Sequence, residues 1–210
     1  MTVEHVDVLV EEASMEAALQ VVLPKILGAT AFSVHPHQGK AELLQRLPDR
    51  LRGYAAWMPA NYRVLVVVDR DDEDCKRLKK RMEQMARDAG LRTRTTARAH
   101  SIQVINRIAV EELEAWFFGD WEAVRAAYPR ADRNVPQKSK FRNPDAIHGG
   151  TWEALERVLQ DAGYFDGGLR KIEAARVIAG HMVPARNTSR SFKVFYEALS
   201  GLAISTGGVP

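Results

Sequence analysis

The chain has 210 residues, 46% hydrophobic and 27% charged, with a formal net charge of +3 and a pI near 9.1. That size allows one domain, or one domain with an appendage, and a sizeable core. No apolar run reaches the length of a membrane span, the N-terminus carries acids where a signal peptide is basic and then apolar, and the single cysteine, Cys75, excludes a disulfide framework, so a reducing cytoplasm is the expected setting.

Val6-Asp7-Val8-Leu9-Val10 reads as a first strand that runs straight into Glu11-Glu12. Ser14 is a candidate N-cap for a helix whose apolar face is Leu19, Val22, Leu23, Ile26 and Leu27, with Gly28 past its end and Pro24 inside it. A second strand is expected around Ala31 to His35. Gly39-Lys40 leads into a helix with Leu43, Leu44, Leu47, Leu51 and Tyr54 on one stripe, disturbed by Pro48. Val64-Leu65-Val66-Val67-Val68 reads as a strand buried on both faces, and it ends in Asp69-Arg70-Asp71-Asp72-Glu73-Asp74. A helix then runs from about Asp72 to Ala89. Leu91 to Thr96 and Ile102 to Ile108 read as further strands, joined by a connection that includes His100.

From Val110 the texture becomes helical: Val110 to Phe118, Trp121 to Ala127 with Asp120 as N-cap, Thr151 to Ala162 capped by Thr151, Leu169 to His181, and Ser191 to Leu199. Trp116, Phe117 and Phe118 read as core. The expected fold class is α/β, a Rossmann-like, mostly parallel sheet flanked by helices with a C-terminal helical cap. Residues 1–109 form the α/β core on this reading, and residues 110–210 form a helical extension packed on it.

Five acids crowd the end of the central strand, where they repel one another. Asp72, Glu73 and Asp74 suit the start of the next helix, whose dipole favours acids. Asp69 and Asp71 precede it, two apart on what reads as extended backbone, so both side chains aim one way and Arg70 aims the other. In an open parallel sheet all strands end at one edge, where ligands bind, and Glu11 ends the first strand there. Glu11, Asp69 and Asp71 are therefore expected to converge on Mg²⁺ or Mn²⁺. Such an ion acidifies a bound water and stabilises charge on a phosphate during displacement.

A strand ending Val10-Glu11-Glu12 and another ending Asp69-Arg70-Asp71 resemble the Toprim fold of topoisomerases, primases, ribosomal RNA maturases and OLD-family nucleases. Where many members have Glu-Gly, this chain has Glu11-Glu12. The resemblance implies acid–base or metal-binding work for Glu11 and metal binding for Asp69 and Asp71. Glu111-Glu112-Leu113-Glu114-Ala115-Trp116, with the final Ser191-Phe192 helix, is similar more narrowly to the Toprim-like domain-of-unknown-function family 4276. Relatives of the OLD kind often act beside ABC-type ATPases in defence against phage, so the resemblance implies a partner of that class.

Glu111 and Glu114 lie three apart on an expected helix and could supply a second metal site, or they are an acidic first turn. Lys40 could reach a phosphate, or simply begin its helix. Lys171 and Arg190 could hold a nucleic-acid backbone, or be solvated charges; from residue 121 onward 13 Lys and Arg face 9 Asp and Glu, which leans towards a polyanion. The histidines have no ligand spacing, and no Cys/His pattern suggests zinc. The absence of a Gly-x-x-x-x-Gly-Lys loop means that any ATPase is a separate polypeptide. Three functions compete: a metal-dependent nuclease on DNA or RNA, a non-catalytic nucleic-acid- or nucleotide-binding subunit of an ATPase complex, and a metal-dependent phosphoesterase on a small substrate.

Overall fold

The computed structural model describes residues 2–96 and 101–203. Among these, β1 (His5–Val10), β2 (Ala31–Pro36), β3 (Tyr62–Asp69) and β4 (Val104–Ala109) form one all-parallel sheet in the order β2-β1-β3-β4. Parallel neighbours need a crossover between them, supplied by α1 (Ala13–Leu27), α2 (Lys40–Trp57) and α3 (Cys75–Asp88). This is the expected α/β, Rossmann-like class. The register pairs Val10 with Pro36 on one side and Val67 on the other, and Asp69 with Ala109, so the strands finish at one edge.

Side chains alternate across each strand and build two cores. One face of the sheet sets Leu9, Val64, Val66 and Val68 against Leu43, Leu47 and Leu51 of α2 and Leu78 and Met82 of α3. The other sets Val6, Val8, Val10, Leu65 and Val67 against α1 and the C-terminal helices. Those helices are α4 (Glu114–Gly119), α5 (Trp121–Ala127), α6 (Thr151–Asp161), α7 (Lys171–His181) and α8 (Arg190–Ala203). Trp116 packs on Phe192 and Phe195 of α8, at ring-centroid separations of 5.2 and 4.8 Å. Phe117 and Phe118 are buried beside it, as their apolarity predicted.

Two long-range polar ties fix the helical layer. Lys25 Nζ of α1 donates to the carbonyls of Ala179, Gly180 and Met182 at 2.8, 2.7 and 2.9 Å, satisfying the open end of α7. Asp120 precedes α5 but does not cap it; its carboxylate accepts from Arg186 Nε and the Val183 amide.

Several local expectations need correction. Leu91–Thr96 is no strand; a lone bridge joins Thr93 to Val104. Local bonds win there, since Thr93 N donates to Thr96 Oγ1 at 3.0 Å and Thr96 N to the Thr93 carbonyl at 3.1 Å. His100, in the connection that follows, lies outside the described residues. The helix expected from Val110 begins only at Glu114, and α3 begins at Cys75, capped by Asp74, whose Oδ1 accepts from the Arg77 amide. Ser14 lies inside α1, whose cap is Glu12, and its hydroxyl donates to Glu12. Thr151 is the first residue of α6, with Gly150 as its cap. The stretch from Tyr128 to Gly150 contains three short 3-10 turns, at Val135–Gln137, Ser139–Phe141 and Pro144–Ala146.

Candidate functional site

β1 delivers Glu11 to the C-terminal edge of the sheet and β3 delivers Asp69 beside it. Both are buried, at 6% and 5% exposure. The β2–α2 turn closes over β1 through the His37 amide on the Val10 carbonyl (3.0 Å) and the Gly39 amide on the Glu11 carbonyl (2.7 Å). Gly39 adopts φ +96°, a conformation that a side chain would strain.

β3 stops at Asp69, so Asp71 does not reach the site along extended backbone as the sequence suggested. It sits in a left-handed conformation, φ +49°, which aspartate tolerates. The turn is pinned by the Arg70 and Asp71 amides, both of which donate to the Glu111 carbonyl, at 2.9 and 3.0 Å. Arg70 pairs with Glu111.

These pieces enclose a cavity of about 230 Å³ whose walls include Glu11, Asp69, Asp71 and Glu114, with Lys40 and Lys171. Glu12 and Glu112 also line it, and sequence reasoning missed both. Glu12 was legible as the neighbour of Glu11. Glu112 was hidden by the assumption that residues 110 to 118 are helical, which would turn it from the face shared by Glu111 and Glu114. Because α4 begins at Glu114, that shared face does not exist: Glu114 enters the cavity, while Glu111 is engaged by Arg70. Arg190 lines a different cavity, beside β4.

Lys40 is the cation closest to the turn acids. Its Nζ stands 2.6 Å from Asp71 Oδ2 and 3.1 Å from Glu73 Oε1, and donates to the Asp69 and Arg70 carbonyls. Burial pulls the ammonium pKa down, but the bonds to Asp71 and Glu73 outweigh it and hold Lys40 above its ordinary value. Glu112 Oε2 accepts from Thr151 N (2.8 Å), Thr151 Oγ1 (2.8 Å) and Trp152 N (3.0 Å), so a cavity wall also caps α6. Lys171 Nζ lies 4.1 Å from the centre of the Trp152 ring.

The carboxyls are strongly perturbed. Burial, reinforced by the Asp71 charge, pushes Glu11 up to about 7. Burial and neighbouring Glu11 push Asp69 well above the carboxylate range. Burial, with the charges of Glu112 and Glu12 behind it, pushes Glu114 up to about 8. With one proton between them Glu11 and Asp69 can bond each other; fully ionised, Glu11 Oε2 and Asp69 Oδ1 are buried acceptors with no partner. Among the described residues, no three His, Cys, Asp or Glu side chains are already gathered into an ion-holding group. The donor set is all oxygen, and its unpartnered acceptors are of the kind that a hard cation satisfies.

Fold and site together define the class: an α/β protein with an all-parallel sheet and a carboxylate cleft at the C-terminal edge of its strands. The chain belongs to the family described as Domain of unknown function (DUF4276), whose model matches residues 10–200. Comparison with the curated proteins and with solved structures gives no match. No helix among the described residues is long and apolar enough to cross a membrane.

Proposed function

We propose that this protein is a Toprim-like phosphodiesterase of the OLD kind, cutting DNA or RNA with the help of Mg²⁺ or Mn²⁺. One observation carries the reading. Glu11, Asp69, Asp71 and Glu114, from well-separated parts of the sequence, face one cavity in which Glu11 Oε2 and Asp69 Oδ1 are buried without a partner. Ionised carboxylates in that state are costly unless a cation compensates them.

Glu11, Asp69 and Asp71 would hold the ion, and Glu114 stands in the same wall for a second. Once bound, such an ion supplies Lewis acidity towards a phosphate oxygen and acidifies a water. Lys171 brings positive charge to the cavity and suits a phosphodiester oxygen, while Lys40 is held by Asp71 and Glu73.

Incubation with plasmid, single-stranded DNA and tRNA in Mg²⁺ or Mn²⁺, beside Asp69→Ala, tests the proposal. Metal-dependent cutting by the wild type alone supports it. Binding of nucleic acid that ignores metal, with no cutting even beside an ATPase, would replace it with a non-catalytic subunit. The resemblance to OLD-like proteins supports an ABC-type ATPase as partner and a role against phage, and the single cysteine supports a cytoplasmic setting.

The cavity volume, about 230 Å³, favours a second reading. It suits a small phosphate ester or a strand end better than the middle of a duplex. Activity confined to nucleotides or sugar phosphates would select that reading.

A further inference from the structure

A second cavity, of about 440 Å³, opens beside β4, between α3 and the start of α8. Its apolar walls come from Ile108, Val110 and Val194. Val110 lines this cavity and Glu112, two residues on, lines the acidic one.

Two polar groups here lack the partners that burial demands. Arg107 is 6% exposed, yet no carboxylate among the described residues is in ion-pair contact with it. Its Nε and Nη1 donate only to the backbone carbonyls of Val194 (3.2 Å) and Asn106 (2.6 Å). Burial, with Arg94 near it, pulls its pKa down to about 10. A guanidinium in that position is held at a cost that an incoming anion would offset. Asn106 is 1% exposed; its amide nitrogen donates to Glu83 Oε1 at 3.0 Å, while its Oδ1 is buried with no partner and calls for a donor.

The other cation of the lining is already engaged. Lys79 is paired with Glu83 at 2.8 Å and bonded to the Asn106 carbonyl. Asp145 accepts from Ser189, from the Ser191 hydroxyl and from the Ser191 amide. Arg190, exposed at the rim, makes no ion pair among the described residues. What remains is an aliphatic slot flanked by two guanidiniums, the buried Arg107 and the exposed Arg190.

We propose that this cavity is a ligand site for a nucleoside monophosphate. Its volume admits base, ribose and one phosphate. The aliphatic walls take the faces of the base, and Arg107 and Arg190 attract the phosphate. The proposal is independent of the phosphodiesterase reading, since it uses none of the residues of the acidic cavity.

Calorimetric titration of the full chain with 5′-AMP, 5′-GMP, 5′-CMP and 5′-UMP, in EDTA so that no divalent ion contributes, tests it. Expected is saturable one-site binding of at least one nucleotide at submillimolar concentration. Arg190→Ala should weaken it about tenfold, Val194→Trp should abolish it by filling the slot, and Asp69→Asn should leave it unchanged. Arg107→Gln should also abolish binding; if that variant fails to fold, the two α8 variants decide. Absence of saturable binding to any of the four, binding of inorganic phosphate as tight as that of the nucleotide, or binding lost in Asp69→Asn but kept in Val194→Trp would overturn the site. Nucleotide binding in EDTA without any nuclease activity would support this site while the phosphodiesterase reading failed, so the two remain distinguishable.

Discussion

Lys40 and Asp71 form a 2.6 Å ion pair that joins the first turn of α2 to the turn after β3. The same ammonium bonds Glu73 and two carbonyls of that turn, so it is the cation that the clustered acids carry before any metal arrives. Lys40→Met should therefore destabilise the metal-free protein, by roughly 1–3 kcal/mol, because it removes one side of a partly buried pair. Urea unfolding at about pH 8 checks this, and Mg²⁺ should restore part of the loss. An unchanged midpoint would mean that the turn acids are already solvated.

The perturbed carboxyls fix a pH dependence. Glu11 and Glu114 have folded pKa values raised from 4.5 to about 7 and about 8, so the folded state binds more protons than the unfolded chain between those limits. Without metal, the stability contributed by these two groups should be full below the unfolded pKa and be lost as pH rises through the folded values. The slope is at most about 1.4 kcal/mol per pH unit for each proton. Glu114→Gln should flatten the upper part of the curve and match or exceed wild-type stability at high pH. A wild-type curve that rises from about pH 5 to about pH 8 in EDTA would contradict the burial of these acids.

Glu112 should behave as a structural residue within the site wall. Its Oε2 takes three hydrogen bonds from Thr151 and Trp152, and Glu112→Ala would leave those donors without a protein acceptor. A loss of about 1–2 kcal/mol is expected. Glu112→Gln, which keeps an oxygen acceptor, should lose less. Amide exchange at the start of α6 reports the effect directly.

Gly119 should not tolerate a side chain. A Cβ there would lie 2.8 Å from the Ser189 amide nitrogen and collide with the Asn187 side chain, and the backbone at Ser189 cannot rotate away. Gly119→Ala should cost about 1–3 kcal/mol, read as a lowered unfolding midpoint. Gly180→Ala is the control, since nothing stands within 4 Å of a Cβ at that position.

Much of the fold was legible because its two central strands are predominantly apolar. Val64 to Val68 and Val6 to Val10 could be read directly, and the placing of Glu11 near Asp69 followed from parallel strands ending together. The Leu91–Thr96 strand failed because its threonines bond locally, a contest that strand propensity does not register. Pairing Glu111 with Glu114 failed because the chain stays non-helical up to Glu114, a boundary that the acidic run Glu111-Glu112 disguised as a first helical turn. Glu112 as a cap for α6 and Arg107 as an uncompensated cation were out of reach. Each depends on which distant backbone arrives beside it.

The central claim is that Glu11, Asp69 and Asp71 share a divalent ion. A crystal structure of the wild type grown with Mn²⁺, with anomalous scattering recorded at the manganese edge, tests it most directly. The expected result is a strong peak bonded to Glu11, Asp69 and Asp71, absent from crystals of Asp69→Asn. A map with no peak in that cavity, or with manganese only at other sites, would contradict it.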